Sequence, residues 1–129
     1  MENEKVYKSF TDLEVWQIAM AYKNSIYELV KSFPPTEKYR LEDQIIRASR
    51  SIGSNISEGY GRFTYKDQLH FCIQARGSLF ETINHLIDAR DCKYISEETL
   101  IAFRQKASEV ERKLNGYIAW LKTMINPKS

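Results

Sequence analysis

The sequence predicts an all-α protein, an antiparallel up-down-up-down four-helix bundle, from three observations. Apolar residues recur at alternating three- and four-residue steps in four successive segments, which is the period of a helix face. The chain has only 5 glycines and 3 prolines in 129 residues, so it makes few turns and long elements. The connections between the periodic segments are short, which favours antiparallel neighbours.

A single domain accounts for this length, because 129 residues can bury a core without help from disulfides or metals. Residues 1–10 are predicted to be a polar lead-in, and residues 11–129 to form the bundle. The formal charge of +2 permits a nucleic-acid partner without indicating one. The polar N-terminal sequence and two cysteines predict a cytoplasmic protein with reduced thiols, and no apolar run is long enough for a membrane span.

The first helix is predicted to lie between a capping box, with Thr11 at the N-cap and Glu14 three residues on, and the pair Pro34 and Pro35. Two neighbouring apolar stripes follow its length. One contains Val15, Ala19, Tyr22, Ile26, Leu29 and Phe33, and the other contains Leu13, Trp16, Met20, Tyr27 and Val30. A helix in a monomeric bundle needs only one apolar face, so two faces predict a further packing partner.

The second helix is predicted to start at Thr36 and to end near Gly59 or Gly61. Gly53 lies inside its apolar stripe, where glycine costs about 1 kcal/mol relative to alanine. This predicts the close approach of another helix. The stripe, with Ser49 one residue off it, consists of Leu41, Ile45, Ala48, Ile52 and Ile56.

The third helix is predicted to be capped by Thr64 and to end near Arg90. Arg76 occupies a missing step in its apolar stripe. The predicted stripe consists of Leu69, Ile73, Phe80, Ile83 and Ile87.

The fourth helix is predicted to run from a Ser96 cap to Pro127. Its predicted core stripe is Leu100, Phe103, Ala107, Val110, Leu114, Tyr117, Leu121 and Met124. Further apolar residues lie off this stripe, at Ile101, Ile118, Trp120 and Ile125. Spare apolar faces on the first and fourth helices predict a homo-oligomer, with scattered surface apolar residues as the alternative.

No catalytic pattern is present, so we predict a protein that is not an enzyme and has no cofactor, metal site or small-molecule substrate. Gly59 and Gly61 follow a helix, not a strand, and so do not form a dinucleotide fingerprint. The best arrangement for a metal is Glu81, His85 and Asp88 on one helix face, but it lacks a Glu-x-x-His pattern. A solvated polar face is the alternative.

A group of polar residues borders the apolar stripes of the second and third helices. Because buried polar groups are tolerated when they are paired, we predict an internal network that places Arg47 or Arg76 against Glu58 or Glu81. A binding site built from the same groups is the alternative. The predicted members are Arg47, Asn55, Glu58, Arg76 and Glu81.

A basic surface is predicted around the second loop, where Arg62 and Lys66 alternate with Tyr60, Phe63 and Tyr65. Arginine and aromatic residues on an exposed loop suit single-stranded nucleic acid, through phosphate neutralisation and base stacking. The predicted RNA contacts are Arg50, Arg62 and Lys66. A protein interface, which is also enriched in tyrosine and arginine, is the alternative and predicts a protein-interaction scaffold.

Two sequence elements carry a resemblance to a known family. Residues 51–59 read Ser-Ile-Gly-Ser-Asn-Ile-Ser-Glu-Gly, and residues 76–81 read Arg-Gly-Ser-Leu-Phe-Glu. Together with the opening Phe-Thr-Asp-Leu-Glu-Val-Trp of residues 10–16, they resemble the four-helix-bundle proteins of 23S rRNA intervening sequences, the S23 ribosomal protein family. The resemblance extends over residues 10–124.

This resemblance implies a homopentameric ring and no shared catalytic residues. The family is similar to the accessory variability protein of diversity-generating retroelements, which implies RNA or a reverse transcriptase-like protein as a partner. Members of the retroelement branch are strongly basic, and a formal charge of +2 departs from that pattern.

Overall fold

The computed structural model describes residues 9–127 and shows four long α-helices in that range. These are α1 (Glu14–Leu29), α2 (Leu41–Tyr60), α3 (Tyr65–Asp91) and α4 (Glu97–Ile125). Short 3-10 helices precede α1 and connect it to α2, at Phe10–Asp12, Val30–Ser32 and Pro35–Glu37. Residues 9–127 contain no strand, so the prediction of an all-α fold with four helices is confirmed.

The two longest helices begin at their predicted caps. The Thr64 side-chain oxygen accepts a hydrogen bond from the Asp67 backbone N–H at 3.1 Å. In the same way, Ser96 Oγ accepts from the Thr99 N–H at 3.0 Å. These side chains satisfy N–H groups that have no partner inside the helix, which stabilises each start.

The predicted starts of α1 and α2 are wrong. Residues Phe10–Asp12 form a 3-10 turn that Ser9 caps by accepting from the Thr11 N–H at 3.0 Å, so α1 begins only after Leu13. Thr36 lies within the short helix Pro35–Glu37, and α2 begins at Leu41 without a side-chain cap. Proline at the first position favours a helical turn. Here the turn is a single 3-10 turn, in which the Lys38 N–H donates to the Pro35 carbonyl three residues earlier at 3.2 Å, and it does not continue into α2.

The first eight residues of the predicted polar lead-in lie outside the described residues. Phe10, its last residue, packs its ring against Trp16 at a centroid distance of 5.3 Å.

The four helices share one core, and each contacts two neighbours: α1 with α2 and α4, and α3 with α2 and α4. The predicted stripe of α2 is buried in full, including Ser49. The first predicted stripe of α1 is also buried, apart from the half-buried Leu29. The largest fully buried side chains come from all four helices and include Ile26, Ile45, Ile52, Ile56, Leu79, Leu86, Leu114 and Leu121.

Small residues let α2 lie close to both of its neighbours. A Cβ atom at Gly53 would lie 3.2 Å from Met20 Sδ on α1, which agrees with the predicted close approach of another helix. A Cβ atom at Gly59 would lie only 2.8 Å from Phe71 Cβ on α3. Between α2 and α3, the hydroxyl groups of Ser51 and Ser78 are 2.8 Å apart and form a hydrogen bond.

The predicted core face of α3 is wrong. Ile73 and Phe80 are 53% and 44% exposed, and Ile83 and Ile87 are only partly buried. The core face instead carries two leucines, Leu79 and Leu86, among smaller side chains, Cys72, Ala75, Thr82 and Ala89. Both sets recur at helical spacing, but the small residues of the buried set suit the close approach of α2, whereas an unbroken row of isoleucine and phenylalanine would take up more space.

On α4 the predicted stripe is mostly correct. Leu100, Ala107, Val110, Leu114 and Leu121 are buried. Towards the end of the helix, Ile118 is buried, Tyr117 is half-buried and Met124 is 40% exposed. The core face therefore rotates by one residue there, as expected when a straight helix drifts relative to a seven-residue repeat.

One polar pair lies within this apolar core and joins α1 to α3. The Tyr22 hydroxyl donates to Thr82 Oγ1 at 2.7 Å, and Thr82 Oγ1 donates to the Leu79 carbonyl at 2.6 Å. Burial raises the pKa of Tyr22 from 10.0 to about 12, and the hydrogen bond to Thr82 lowers it by less. Burial also raises the pKa of the Cys72 thiol from 9.0 to about 12.

We expect Gly59→Ala to lower the free energy of unfolding by about 1–3 kcal/mol, as overpacking does in other cores. Phe71 Cβ is fixed to the backbone of α3, so the helix itself must shift to accept the methyl group. Gly116→Ala is the matched control, because nothing lies within 4 Å of its Cβ position. Gly116→Ala should raise the free energy of unfolding by up to about 1 kcal/mol, because alanine favours a helix over glycine. Urea unfolding compares the two, and an equal gain in both variants would contradict the close α2–α3 approach.

We expect stability to fall at alkaline pH because both raised pKa values belong to groups that are neutral when protonated. The contribution of Cys72 and Tyr22 is complete below their unfolded pKa values of 9.0 and 10.0, and it is lost as pH rises towards about 12. Tyr22→Phe should therefore flatten the decline above pH 10, whereas Tyr39→Phe, at an exposed tyrosine, should leave it unchanged. Urea unfolding at a series of pH values tests this, and identical curves for both variants would refute it.

Candidate nucleic-acid interface

Two of the three predicted RNA contacts lie at the connection between α2 and α3: Arg62 is in the loop, and Lys66 is in the first turn of α3. Helix α2 ends at Tyr60, and the N–H of Gly61 bonds back to the Glu58 carbonyl at 3.2 Å. Helix α3 starts at Tyr65, immediately after its Thr64 cap. Arg62 and Lys66 therefore lie on either side of a short, well-capped turn at one end of the molecule.

The Arg62 guanidinium is held by two contacts. Its Nη2 lies 3.4 Å from Glu58 Oε1, and its Cζ lies 4.8 Å from the centroid of the Phe71 ring. Both charged side chains are about half exposed, so the ion pair contributes only ~0–1 kcal/mol. The contacts orient the guanidinium and leave part of its surface open to a phosphate oxygen.

Lys66 is exposed and forms no ion pair with any residue in the range 9–127. Phe63, three residues before Lys66 in the chain, is fully exposed as well, at 105% of the reference area. An exposed ammonium group and an exposed aromatic ring this close in the chain provide a phosphate contact and a stacking surface.

Arg50 lies apart from the other two predicted contacts. It is ten residues before the end of α2, so at ~1.5 Å per residue it sits ~15 Å along the helix from the loop. There it lines a shallow groove between α1 and α2 with Lys23, Asn24 and Tyr27. Lys23 was not singled out in the sequence, because nothing in α1 alone shows that it approaches Arg50.

The predicted internal polar network does not form. Arg47 is 78% exposed and pairs with Asp43 at 3.1 Å, and the Asn55 amide donates to the Ser51 carbonyl at 2.8 Å. Each of the other members also has a partner on its own helix or loop: Glu58 with Arg62, Arg76 over the Phe80 ring, and Glu81 with His85.

These partners lie mostly three or four residues away, where helical side chains meet without burial. The polar link between α2 and α3 is instead the Ser51–Ser78 hydroxyl pair. Both serines lie in the two motifs that carry the family resemblance, but their spacing along the chain does not show that they meet.

The arrangement for a metal at Glu81, His85 and Asp88 is not assembled. His85 Nε2 lies 3.3 Å from Glu81 Oε2, but Asp88 faces the Cys92 thiol at 4.0 Å. Among the described residues, no three histidine, cysteine or carboxylate side chains converge as a metal site would require.

A cluster of aromatic rings beside the loop was not predicted as a site. Tyr65 and Trp120 meet edge to face with centroids 5.7 Å apart, and Tyr117 stacks on Trp120 at 5.7 Å with planes 20° apart. We call these three residues the aromatic ledge. The sequence marked Trp120 only as an apolar residue off the α4 stripe, since its meeting with Tyr65 depends on how α3 and α4 pack.

Exposed apolar side chains also lie away from the loop. Ile73, Gly77 and Phe80 follow one another along one face of α3, where nothing lies within 4 Å of the Gly77 Cβ position. Ile101 on α4 and Tyr27 on α1 are each about half exposed. The spare apolar face predicted for the first helix is mostly used inside the bundle, because Leu13 and Val30 are buried and Trp16 is partly buried against the core, which leaves Tyr27 exposed. Exposed apolar side chains lie instead mainly on α3 and α4.

In residues 9–127 no helix combines the length and the apolar character that a membrane span requires. The family model described as 23S rRNA-intervening sequence protein matches residues 11–116. The chain belongs to this family. The resemblance seen in the sequence is thereby confirmed, whereas the relation to the retroelement protein stays a prediction.

A solved structure has the same fold as this chain. It is the crystal structure of a protein with unknown function from the S23 ribosomal protein family of Bacteroides thetaiotaomicron. The two share a TM-score of 0.74 at 23% sequence identity, over 81% of this chain and 97% of that chain. No curated protein matches the sequence.

Proposed function

We propose that this protein is a non-catalytic cytoplasmic subunit of a homo-oligomer that binds RNA, or a ribonucleoprotein, through the loop between α2 and α3. The observation that carries the proposal is Lys66, exposed and without an ion pair among the described residues, next to Arg62 and the exposed Phe63. Cations on an open loop neutralise phosphates, which supplies most of the affinity in nonspecific nucleic-acid binding. Arg50 and Lys23 form a second basic position on the same subunit.

A single such loop binds weakly, so the proposal includes an antiparallel up-down-up-down bundle assembled as a homopentameric ring. Several copies of the loop on one particle would raise the overall affinity without any new contact. The contacts between helices support the antiparallel order, because the end of one helix lies beside the start of the next. Near the loop, Gly59 lies against Phe71, and farther from it Ser51 bonds to Ser78. At the start of α3, Tyr65 meets Trp120 from the late part of α4. The exposed apolar side chains of α3 and α4 support the assembly.

The alternative is a protein-interaction scaffold that does not bind nucleic acid. The exposed face of Ile73 and Phe80 on α3 favours it, since exposed apolar patches mark protein contacts. Salt separates the two functions: phosphate contacts weaken steeply as salt rises, and an apolar protein interface does so much less.

We expect Lys66→Glu to weaken RNA binding and to reduce the slope of log affinity against log salt by about one, because one phosphate contact is lost. Fluorescence anisotropy of labelled RNA at several salt concentrations measures both. Arg104→Glu is the matched control: it makes the same charge change at an exposed position in the first half of α4. Equal losses in the two variants would show that only net charge matters, and no binding by the native protein would favour the scaffold.

We expect Phe80→Glu to shift the oligomer towards the monomer, since a charge on the exposed face of α3 cannot be buried without a partner. Native mass spectrometry resolves multiples of the 15.2 kDa subunit. Tyr39→Glu, at an exposed aromatic residue between α1 and α2, should leave the native mass unchanged. A native protein that is monomeric at micromolar concentration would overturn the proposed assembly.

A further inference from the structure

The aromatic ledge brings three large aromatic side chains into mutual contact and leaves the central one, Trp120, open to solvent. Trp120 remains 46% exposed although it contacts both Tyr65 and Tyr117. The fully exposed Phe63 lies two residues before Tyr65, and Met124, one turn after Trp120, is 40% exposed. A single exposed aromatic residue is ordinary, but a cluster at one end of the molecule marks a binding surface.

The geometry of the ledge holds the Trp120 indole in place. Tyr117 is fixed by a hydrogen bond from its hydroxyl to Gln68 Oε1 at 3.3 Å, and it stacks on the indole. Tyr65 meets the same indole edge to face. A ring positioned in this way loses little conformational entropy when a flat ligand stacks on it.

The charges beside the ledge indicate the chemistry of that ligand. Lys66 directly follows Tyr65 in the chain and has no ion-pair partner among residues 9–127, and Arg62 lies across the turn. Two acidic side chains lie in the same stretch of chain: Glu58 pairs with Arg62, and the exposed Asp67 follows Lys66. Cations next to exposed rings complement a ligand that joins phosphates to planar bases.

We propose that the aromatic ledge stacks unpaired bases of single-stranded RNA on Trp120 while Lys66 and Arg62 bind the flanking phosphates. This inference rests on the RNA-binding function proposed above and specifies its form. Single strands are the fitting class because the bases of a duplex are stacked on one another, so only unpaired bases offer their faces to a side chain. Any base can stack on an aromatic ring, so we expect the ledge to distinguish single-stranded from double-stranded RNA and not one base sequence from another.

The first test is a fluorescence titration. The chain has two tryptophans, so Trp16→Phe leaves Trp120 as the sole indole emitter. The probe is a 12-nucleotide oligouridylate, compared with an RNA duplex of equal length. We expect the single strand to quench Trp120 emission and the duplex to quench it far less. Equal quenching by both, or binding of the single strand with no change in emission, would overturn the inference.

The second test uses affinity and its salt dependence. Trp120→Leu should weaken binding of the single strand by about 5- to 150-fold, as the loss of one stacked base does, and should leave the salt slope unchanged. Trp120→Phe keeps a ring and should lose less. Lys66→Glu, in contrast, should reduce the slope by about one. Circular dichroism and native mass spectrometry verify that each variant keeps its fold and its assembly.

The outcomes separate the ledge from the wider proposal. RNA binding that depends on salt and on Lys66 but is unaffected by Trp120→Leu would refute base stacking on the aromatic ledge and leave the proposed RNA-binding function intact. No binding of any RNA by the native protein would overturn both. A Trp120→Leu variant that folds but changes its native mass would show that the ledge is a contact between protein subunits instead.

Discussion

The close approach of α2 to α3 is the constraint on which the rest of the structure depends. At Gly59 the two backbones come so near that a single methyl group would lie 2.8 Å from Phe71 Cβ, and farther along Ser51 and Ser78 bridge the helices through their hydroxyl groups. Such packing gains dispersion contacts where the two helices meet. It also favours one face of α3 as the inward face, because that face places small side chains such as Ala75 between its leucines.

The surface of the molecule follows from that choice. With the face that contains Ala75, Leu79 and Leu86 turned to the core, Ile73 and Phe80 are turned outward, where they form a surface available to a partner. The buried hydrogen bond between Tyr22 and Thr82 then joins α1 to α3 across the core. A polar pair inside an apolar core favours one alignment, because a shift would leave the Tyr22 hydroxyl buried without a partner.

The candidate site depends on the same packing at one end of the molecule. Gly61 caps the end of α2 and Thr64 caps the start of α3, so the connection between them is short. This holds Arg62 in the loop and Lys66 in the first turn of α3 near each other. The late part of α4 extends past this turn and brings Trp120 against Tyr65. Charge and aromatic surface thus meet where the ends of three helices come together, and neither the loop nor α4 would provide both alone.

The sequence by itself determined the four helices, the caps at Thr64 and Ser96, the buried face of α2 and the family, because these follow from local spacing and from motifs read along the chain. Tertiary structure alone decided the core face of α3, where two periodic stripes competed and the nearness of α2 favoured the stripe in which alanine, cysteine and threonine accompany the leucines. It also decided that Arg47, Arg76 and Glu81 pair within their own helices, since exposed partners one turn away cost no desolvation. The separation of Arg50 from Arg62 and the meeting of Trp120 with Tyr65 likewise depend on how helices lie side by side, and one-dimensional spacing carries no information about distances between helices.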